Sequence, residues 1–161
     1  MSISKFVRDI VIVLLITKST YALQMSVVGP CDQQPAHAVH VDLKDKEEVT
    51  LGDLTVKVLN TSGVPFKGDA QGIAQIYDSP LGNDAIEVLS STQLRAYGWC
   101  VHVDNNEPAE MPDKVVITSQ VQKITWFYAY SLYDGGDWKE YCTPSWKVHS
   151  LNYCQKSQSN K

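Results

Sequence analysis

Residues 123–133 read KITWFYAYSLY, and this stretch decides the fold because it is filled by β-branched and aromatic residues, which favour strands. Successive side chains of a strand point to opposite faces of a sheet. One face would carry Ile124, Trp126, Tyr128 and Tyr130, and the other Thr125, Phe127 and Ala129. Both faces are largely apolar, so we expect this strand to lie at the centre of a sheet.

Segments with alternating or β-rich composition surround this strand and predict the rest of the sheet. Before it, they lie at residues 39–43, 53–59, 72–77, 97–103 and 114–118. Residues 23–35 look like a lead-in tethered at Cys31. After the central strand, the sequence DGGD at residues 134–137 predicts a hairpin-type turn. The tail from Trp138 to Cys154 is expected to be aromatic and irregular.

One helix is expected to start at Asn83 or Asp84. Asp84 and Glu87 are three residues apart and resemble a capping box, in which side chains satisfy the free N–H groups of the first helical turn. The positions at helical spacing that support it are Ala85, Val88, Leu89 and Thr92. Gly98 lies just beyond the expected end. Several strands with one main helix predict an α+β domain built on a small mixed sheet.

The size and charge of the chain exclude some classes of protein. With 161 residues, 43% of them apolar, the chain has room for one domain with its own core. The formal net charge is −4, and the sequence contains no cluster of Lys and Arg. A nucleic-acid surface needs such a cluster to displace counterions, so we expect no nucleic acid as a partner.

The first 22 residues predict a secretory signal peptide. Lys5 and Arg8 precede an unbroken apolar run at residues 10–16, which is too short to span a bilayer but fits the apolar part of a signal peptide. Thr20 and Ala22 supply the small residues required at positions −3 and −1 of the cleavage site. We therefore expect export to the periplasm or out of the cell.

Cleavage after Ala22 would leave one domain over residues 23–156 and a flexible tail over residues 157–161. This mature chain contains no further apolar segment that would span a membrane. The partners open to such a protein are a small ligand, a glycan or another extracytoplasmic protein.

The cysteines agree with an oxidising compartment. All of them lie beyond the predicted cleavage site, and their number is even, so we expect two disulfides. They are Cys31, Cys100, Cys142 and Cys154. Three pairings are possible and spacing alone does not choose among them; we favour Cys31 with Cys100 and Cys142 with Cys154. A zinc site is disfavoured because no Cys-x-x-Cys pair is present, and we expect no metal.

The segment from residue 83 to residue 130 resembles the transcobalamin C-terminal-like family of extracytoplasmic domains. The matching stretches are DAIEVL (84–89), YGWCVHVDN (97–105), PDKVV (112–116) and ITWFY (124–128). With the preceding strands, the resemblance covers roughly residues 53–133. It implies a small α+β fold related to the β-grasp arrangement, followed here by an aromatic, disulfide-linked C-terminal extension.

The chain departs from the family pattern in two places. Asn106 and Glu107 stand where these domains usually carry a glycine after the turn asparagine, and residues 120–123 replace the usual Gly-Asp before the last strand. The namesake domain closes over a corrinoid, but a free-standing domain need not share that ligand. We therefore expect no cofactor.

Aromatic residues of the C-terminal half are the candidate binding residues. Flat rings can stack on sugars, tetrapyrroles or partner side chains while their polar atoms stay hydrated. The candidates are Trp99, Tyr130, Tyr133, Trp138 and Tyr141. For each ring taken singly we favour the alternative, in which it packs against the disulfides and covers the sheet, but we expect at least one ring to be exposed. We take ligand contact by these aromatic residues as the working hypothesis. The sequence then predicts a non-enzymatic binding module.

Catalysis is the competing hypothesis. Cys100 and His102 share a strand face, as a thiol–imidazole pair would require, but a disulfide at Cys100 would remove the nucleophile. The sequence contains no nucleophile elbow, phosphate loop or zinc-protease motif. A secreted enzyme or effector using His102, Asp104 or Glu107 remains the alternative, and a structural domain of a cell-envelope assembly is a third possibility.

Overall fold

The structure is a computed structural model that describes residues 22–43, 48–148 and Cys154. The predicted signal peptide, apart from Ala22, and the predicted tail over residues 157–161 lie outside the described residues. The elements in chain order are β1 (Leu23–Val28), β2 (Pro35–Val41), β3 (Val49–Thr50), α1 (Leu51–Thr61), β4 (Phe66–Asp69), β5 (Gly72–Ile76), β6 (Ile86–Val88), β7 (Gln93–Val103), β8 (Val116–Ile117), β9 (Lys123–Asp134) and β10 (Asp137–Pro144). Short 3₁₀ turns lie at Gly82–Ala85 and Ser145–Lys147. The architecture is α+β, as the sequence predicts.

The strand predicted to be central occupies the centre of the sheet. β9 belongs to a six-stranded mixed sheet of order β2-β1-β9-β7-β6, and β10 pairs with β9 beside this path. β7 runs antiparallel to β9 along one edge from Gln93 to Val103. The other edge is shared by β1, parallel to residues 123–127, and β10, antiparallel to residues 129–134. β9 is therefore the strand with which β1, β7 and β10 all pair.

The segment predicted as a lead-in begins with a strand. Leu23, Met25 and Val27 of β1 are buried in the main core, and the strand lies between β2 and β9. The hydroxyl of Ser26 donates to Thr125 Oγ1 on β9 at 3.3 Å. The prediction was wrong here because the alternation spans only a few residues before a Gly-Pro step, too short to stand out.

The helix of the described residues lies where a strand was predicted. Residues 53–59 belong to α1, whose N-cap Thr50 accepts a hydrogen bond from the Asp53 amide at 3.1 Å while its hydroxyl donates to Asp53 Oδ2 at 2.7 Å. The buried positions follow helical spacing: Leu51, Gly52, Leu54, Thr55, Val58 and Leu59. Within 53–59, Leu54, Val56 and Val58 also alternate as in a strand, so this short segment fits both periods and the Thr50 cap decides between them.

The helix predicted from Asn83 or Asp84 is wrong. Residues 82–85 form a 3₁₀ turn, and the chain then enters β6, which pairs antiparallel with β7. Glu87, assigned to a capping box, instead accepts hydrogen bonds from Tyr97 and Arg95 on the neighbouring strand. Cross-strand partners outweigh a helical pattern that contains two β-branched residues, Ile86 and Val88.

The hairpin turn after β9 is confirmed, while the irregular tail is corrected. Gly135 and Gly136 both have positive φ, 59° and 105°, as a type I′ turn requires. Beyond them the chain continues as β10 to Pro144 rather than as irregular structure. The ladder with β9 shifts register between Trp138 and Glu140 and again between Glu140 and Thr143, and these irregularities obscured the strand pattern in the sequence.

The two faces of the sheet differ in what packs on them. On the covered face, Ile124 and Trp126 of β9 join a core completed by α1 and β5, and the Trp126 indole donates to Thr55 Oγ1 at 3.0 Å. On the open face, a smaller cluster consists of Val28, Phe127 and Ala129, packed against Cys100, Cys142 and Trp146. The two residue sets predicted for β9 therefore do lie on opposite faces, and both are buried near its centre.

Two disulfides are present, but their pairing differs from the favoured one. The structure joins Cys31 to Cys154 and Cys100 to Cys142. Cys142 has a positive φ of 46° beside the β10 register shifts, and its Cα lies 5.8 Å from that of Cys100. In a flat sheet, strands on either side of a third are about 9.5 Å apart. β10 therefore folds toward β7 over the open face, which brings these cysteines together.

The end of β10 lies next to the segment that carries Cys31. Ser145 is fully buried, and its hydroxyl lies 3.0 Å from the Pro30 carbonyl oxygen and 2.9 Å from that of Tyr128. These contacts hold the end of β10 beside the residue that precedes Cys31, and Cys31 is bonded to Cys154. In the described part of the chain, no helix combines the length and apolar character needed to cross a membrane.

Candidate functional site

A shallow groove of about 270 Å³ lies on the open face of the sheet. Its floor consists of small residues in register on two strands, Gly98 opposite Ala129 and Ala96 opposite Ser131. Trp138 and Tyr141 of β10 form its aromatic side, and Cys100 borders one end. Because large rings stand next to small residues, the sheet surface is recessed at this point.

The position of Gly98 keeps the groove open. A Cβ atom built on Gly98 meets no heavy atom within 4 Å, so the space above this residue is empty. Gly98 lies inside a long, regular strand, and a larger side chain there would project into the groove. The strand tolerates other residues at this position, which makes Gly98 suitable for blocking the groove.

Trp138 and Tyr141 are the exposed rings of the site. Their relative exposures are 42% and 66%, high for aromatic residues. Residues three apart on a regular strand point to opposite faces. Both rings border the groove because the β10 ladder shifts register after Trp138, so that Glu140 rather than Lys139 pairs with Leu132. This irregularity cannot be recognised from the alternation of the sequence.

Tyr133 does not line the groove but contacts Trp138, which does. It pairs with Trp138 across the β9–β10 ladder, and the two rings meet edge to face with centroids 5.5 Å apart. Such contacts restrict the orientation of an otherwise exposed indole. Tyr133 therefore positions Trp138, although it does not itself line the recess.

Trp99 and Tyr130 border the groove, but their rings belong to the covered face. The Trp99 indole donates to Ser79 Oγ at 2.9 Å, and its ring lies 5.5 Å from that of Tyr128. Tyr130 is 7% exposed and its ring lies 5.8 Å from that of Tyr97. By strand alternation, these two residues contribute main chain to the groove. The five predicted site residues thus divide into three on the open face and two on the covered face.

A polar cluster on the covered face lies at the far end of the same strands. Tyr97 donates to Glu87 Oε2 at 2.7 Å, and Arg95 Nη1 contacts the same oxygen at 3.1 Å while its guanidinium lies 5.1 Å from the Tyr130 ring centre. Burial, followed by the hydrogen bond to Glu87, raises the pKa of Tyr97 far above its ordinary value. Burial and then Glu140 raise the pKa of Tyr130. Both phenols therefore stay neutral at physiological pH.

The sequence analysis missed this cluster because it placed Glu87 on a helix. Arg95 and Tyr97 alternate on β7, and a strand beside them supplies their carboxylate partner. Burial by itself lowers the pKa of Arg95, but the hydrogen bonds and charges of Glu87 and Tyr97 together outweigh it, so the pKa is raised overall. The bonds of Arg95 and Tyr97 to Glu87 fix β6 against β7.

Cys100 and His102 do not form the thiol–imidazole pair of the catalytic alternative. Cys100 is bonded to Cys142, so no thiol faces His102. The His102 ring packs edge-on against Phe127 at 4.6 Å. Asp104 Oδ1 accepts hydrogen bonds from the amides of Gln122 and Lys123, at 3.1 and 2.8 Å, and so holds the turn before β9.

Metal chemistry also lacks a donor set in the described ranges. Over residues 22–43, 48–148 and Cys154, no group of three or more His, Cys, Asp or Glu side chains could hold an ion. No family model, curated protein or solved structure matches the chain. A functional assignment therefore depends on the groove itself.

Proposed function

We propose that the chain is an exported, non-enzymatic binding module whose groove on the open face receives a flat ring. The observation that carries the proposal is the exposure of Trp138 and Tyr141 beside a floor of small residues. Burying two exposed rings against a ligand would gain free energy from apolar area and stacking. An isolated exposed aromatic residue would support much less.

The size of the groove limits what enters it. Its volume of about 270 Å³ lies just below the usual range of ligand sites, roughly 300–1,000 Å³. One ring fits this space better than an extended molecule. A sugar unit, a small aromatic ligand and an aromatic side chain of a partner protein share the required chemistry, which is one apolar ring face with polar atoms at the rim.

Two observations support the export part of the proposal. Two disulfides are typical of an oxidising compartment. In addition, β1 begins at Leu23, directly after the predicted cleavage site, so removal of residues 1–22 would leave the first strand whole. Intact mass and N-terminal sequencing of the secreted protein test this: we expect a chain that starts at Leu23 and contains no free thiol.

The resemblance to transcobalamin C-terminal-like domains contributes little to the proposal. Its helical stretch at residues 84–89 covers a 3₁₀ turn and β6, while two of its other stretches fall on β7 and β9. A β-grasp-like arrangement of those strands is part of what we propose. A corrinoid is not, because the groove is much smaller than a tetrapyrrole would need.

Titration followed by NMR tests the groove. The probes are an N-acetylglucosamine tetramer, a cellotetraose and the tripeptide Gly-Trp-Gly, added to the ¹⁵N-labelled, oxidised protein. We expect one of them to shift both the Trp138 indole signal and the Gly98 amide signal. In Trp138→Ala the Gly98 amide signal should no longer shift. In Gly98→Leu, which fills the recess while every aromatic residue stays in place, the Trp138 indole signal should no longer shift.

The matched control is Val88→Ala, which shortens an exposed apolar side chain on β6, outside this groove. It should bind the probe as the parent protein does. If none of the probes shifts the groove signals, or if Gly98→Leu responds like the parent, the groove is not a ring-binding site. Which probe responds identifies the class of ligand.

A further inference from the structure

The outer edge of β7 loses its pairing halfway along the strand. β6 covers this edge opposite Leu94, Arg95 and Ala96, and at the other end Val103 exchanges hydrogen bonds with Asn106. In the part of the chain that the structure describes, no strand pairs with this edge between those two points. The unpaired stretch is centred on residues 99–101.

In this stretch, the main-chain N–H and C=O groups of every second residue point away from β9, toward the unpaired edge. In an antiparallel strand, the N–H and C=O of every second residue face the same edge. Gln93 accepts a hydrogen bond from the Leu89 amide on the outer side, and Val103 donates to Asn106 there, both at 2.9 Å. By the same alternation, Trp99 and Val101 present their N–H and C=O groups outward. Each therefore offers one donor and one acceptor to a neighbouring strand.

A second groove, of about 560 Å³, lies along this edge. We call it the edge groove; its walls are residues 99–101 of β7, residues 71–74 around β5 and the loop of residues 107–112. Ile73 and Met111 make part of it apolar, and Glu107 and Glu110 are exposed acids on its rim. The described residues that line it include no Lys or Arg.

We propose that the edge groove binds an extended peptide segment with alternating basic and apolar side chains, which adds to β7 as a further strand. Unpaired main-chain donors and acceptors at an edge are the template for strand addition. The apolar walls suit the side chains that face inward, and Glu107 with Glu110 suits Lys or Arg. The edge groove is separate from the groove beside Trp138 and Tyr141. The two grooves share only Trp99 and Cys100 among their lining residues.

Hydrogen exchange measured by NMR on the oxidised protein tests the proposal. The probe is the capped peptide Ac-Lys-Val-Lys-Val-Lys-Val-NH₂. In the free protein, the amides of Trp99 and Val101 should exchange faster than those of Gly98 and Cys100, which face β9. Saturating peptide should slow exchange at Trp99 and Val101 by roughly tenfold or more, because these amides gain hydrogen bonds.

Two modified peptides separate strand addition from other binding. N-methylation at alternate residues removes donors on one edge, so the version methylated toward β7 should bind about tenfold or more weakly, whereas the other register should bind like the parent peptide. The peptide Ac-Glu-Val-Glu-Val-Glu-Val-NH₂ should not bind because it meets the acidic rim. These comparisons leave the protein unchanged, so folding defects cannot mimic them.

A protein variant tests the charge argument. Glu107→Gln combined with Glu110→Gln should weaken the lysine peptide several-fold and reduce its salt dependence. Glu140→Gln, an acidic residue on β10 outside the edge groove, is the matched control and should change neither. The proposal is overturned if the lysine peptide does not bind at millimolar concentration, if both methylated registers bind equally, or if protection appears elsewhere. Concentration-dependent self-association through Trp99 and Val101 would identify a second copy as the occupant instead and would also overturn it.

Discussion

Trp138 packs edge-on against Tyr133, its cross-strand neighbour, with ring centroids 5.5 Å apart. The contact joins an exposed ring of the groove to a half-buried ring on the central strand. The groove thus has a rigid aromatic side even though Trp138 lies on an outer strand next to a tight turn.

Replacing Tyr133 with leucine should loosen Trp138 without removing it. Leucine keeps apolar contact but loses the edge-to-face geometry, so we expect a stability loss of about 1 kcal/mol. The measurement is the exchange broadening and chemical-shift dispersion of the Trp138 indole signal, together with urea unfolding. Tyr133→Phe, which keeps the ring, is the control. An unchanged indole signal in Tyr133→Leu would show that the contact does not position Trp138.

Trp99 and Trp138 should respond oppositely to truncation. Trp99→Ala removes ring packing on Tyr128 and leaves the buried Ser79 hydroxyl without its donor, so we expect a loss of about 3 kcal/mol in the free energy of unfolding. Trp138→Ala should cost only about 1 kcal/mol, because the ring is 42% exposed and loses mainly its edge-to-face contact with Tyr133. Urea denaturation of both variants checks this, and similar losses in the two would contradict the assignment of their rings to different faces.

His102 should make the folded state sensitive to mild acid. Burial lowers the pKa of His102 below its ordinary value, the positive charge of Lys123 acts in the same direction, and Glu107 opposes them in part. The unfolded state takes up a proton near pH 6.5, whereas the folded state does so at lower pH. The free energy of unfolding should therefore fall as the pH drops from about 6.5 through the folded-state pKa.

The measurement is urea unfolding between pH 7.5 and pH 5, with the His102 ring followed by NMR. His102→Gln, which cannot titrate, should lose this part of the pH dependence. A His102 midpoint at or above 6.5 would contradict the proposed effect of burial.

The disulfide across β9 should hold β10 over the open face. Cys100→Ser combined with Cys142→Ser opens a loop of 42 residues, for which the expected loss of stability is about 4 kcal/mol. We also expect faster amide exchange in residues 139–143 and loss of the groove signals. Cys31→Ser with Cys154→Ser is the comparison, and it should leave the groove signals in place. Retention of the groove in the first double variant would show that the β10 ladder alone suffices.

The central part of the fold can be predicted from the sequence because its signal is long. Residues 123–133 are apolar on both faces, and no helical reading competes with that pattern. Gly135 and Gly136 supply the positive φ values that a tight hairpin needs, so the turn can be predicted as well. In both places, local preference and tertiary environment favour the same structure.

The errors lie where a short segment fits two periods. Leu54 and Val58 are compatible with a strand and with a helix, and the deciding contact is the cap made by Thr50 and Asp53. At residues 84–89 the deciding contacts are with the neighbouring strand β7, and a helical pattern within this short segment does not reveal them. Tyr141 and Cys142 depend on register shifts that exist only once β10 pairs with β9.

The parallel pairing of β1 with β9 has a consequence for biogenesis. Ser26 and Thr125, which touch across this ladder, are 99 residues apart. Such high contact order delays folding, because the first strand must wait for a partner made near the end of synthesis. A polypeptide that folds late can be threaded through a translocation channel, so the topology that completes the sheet suits the export that we propose.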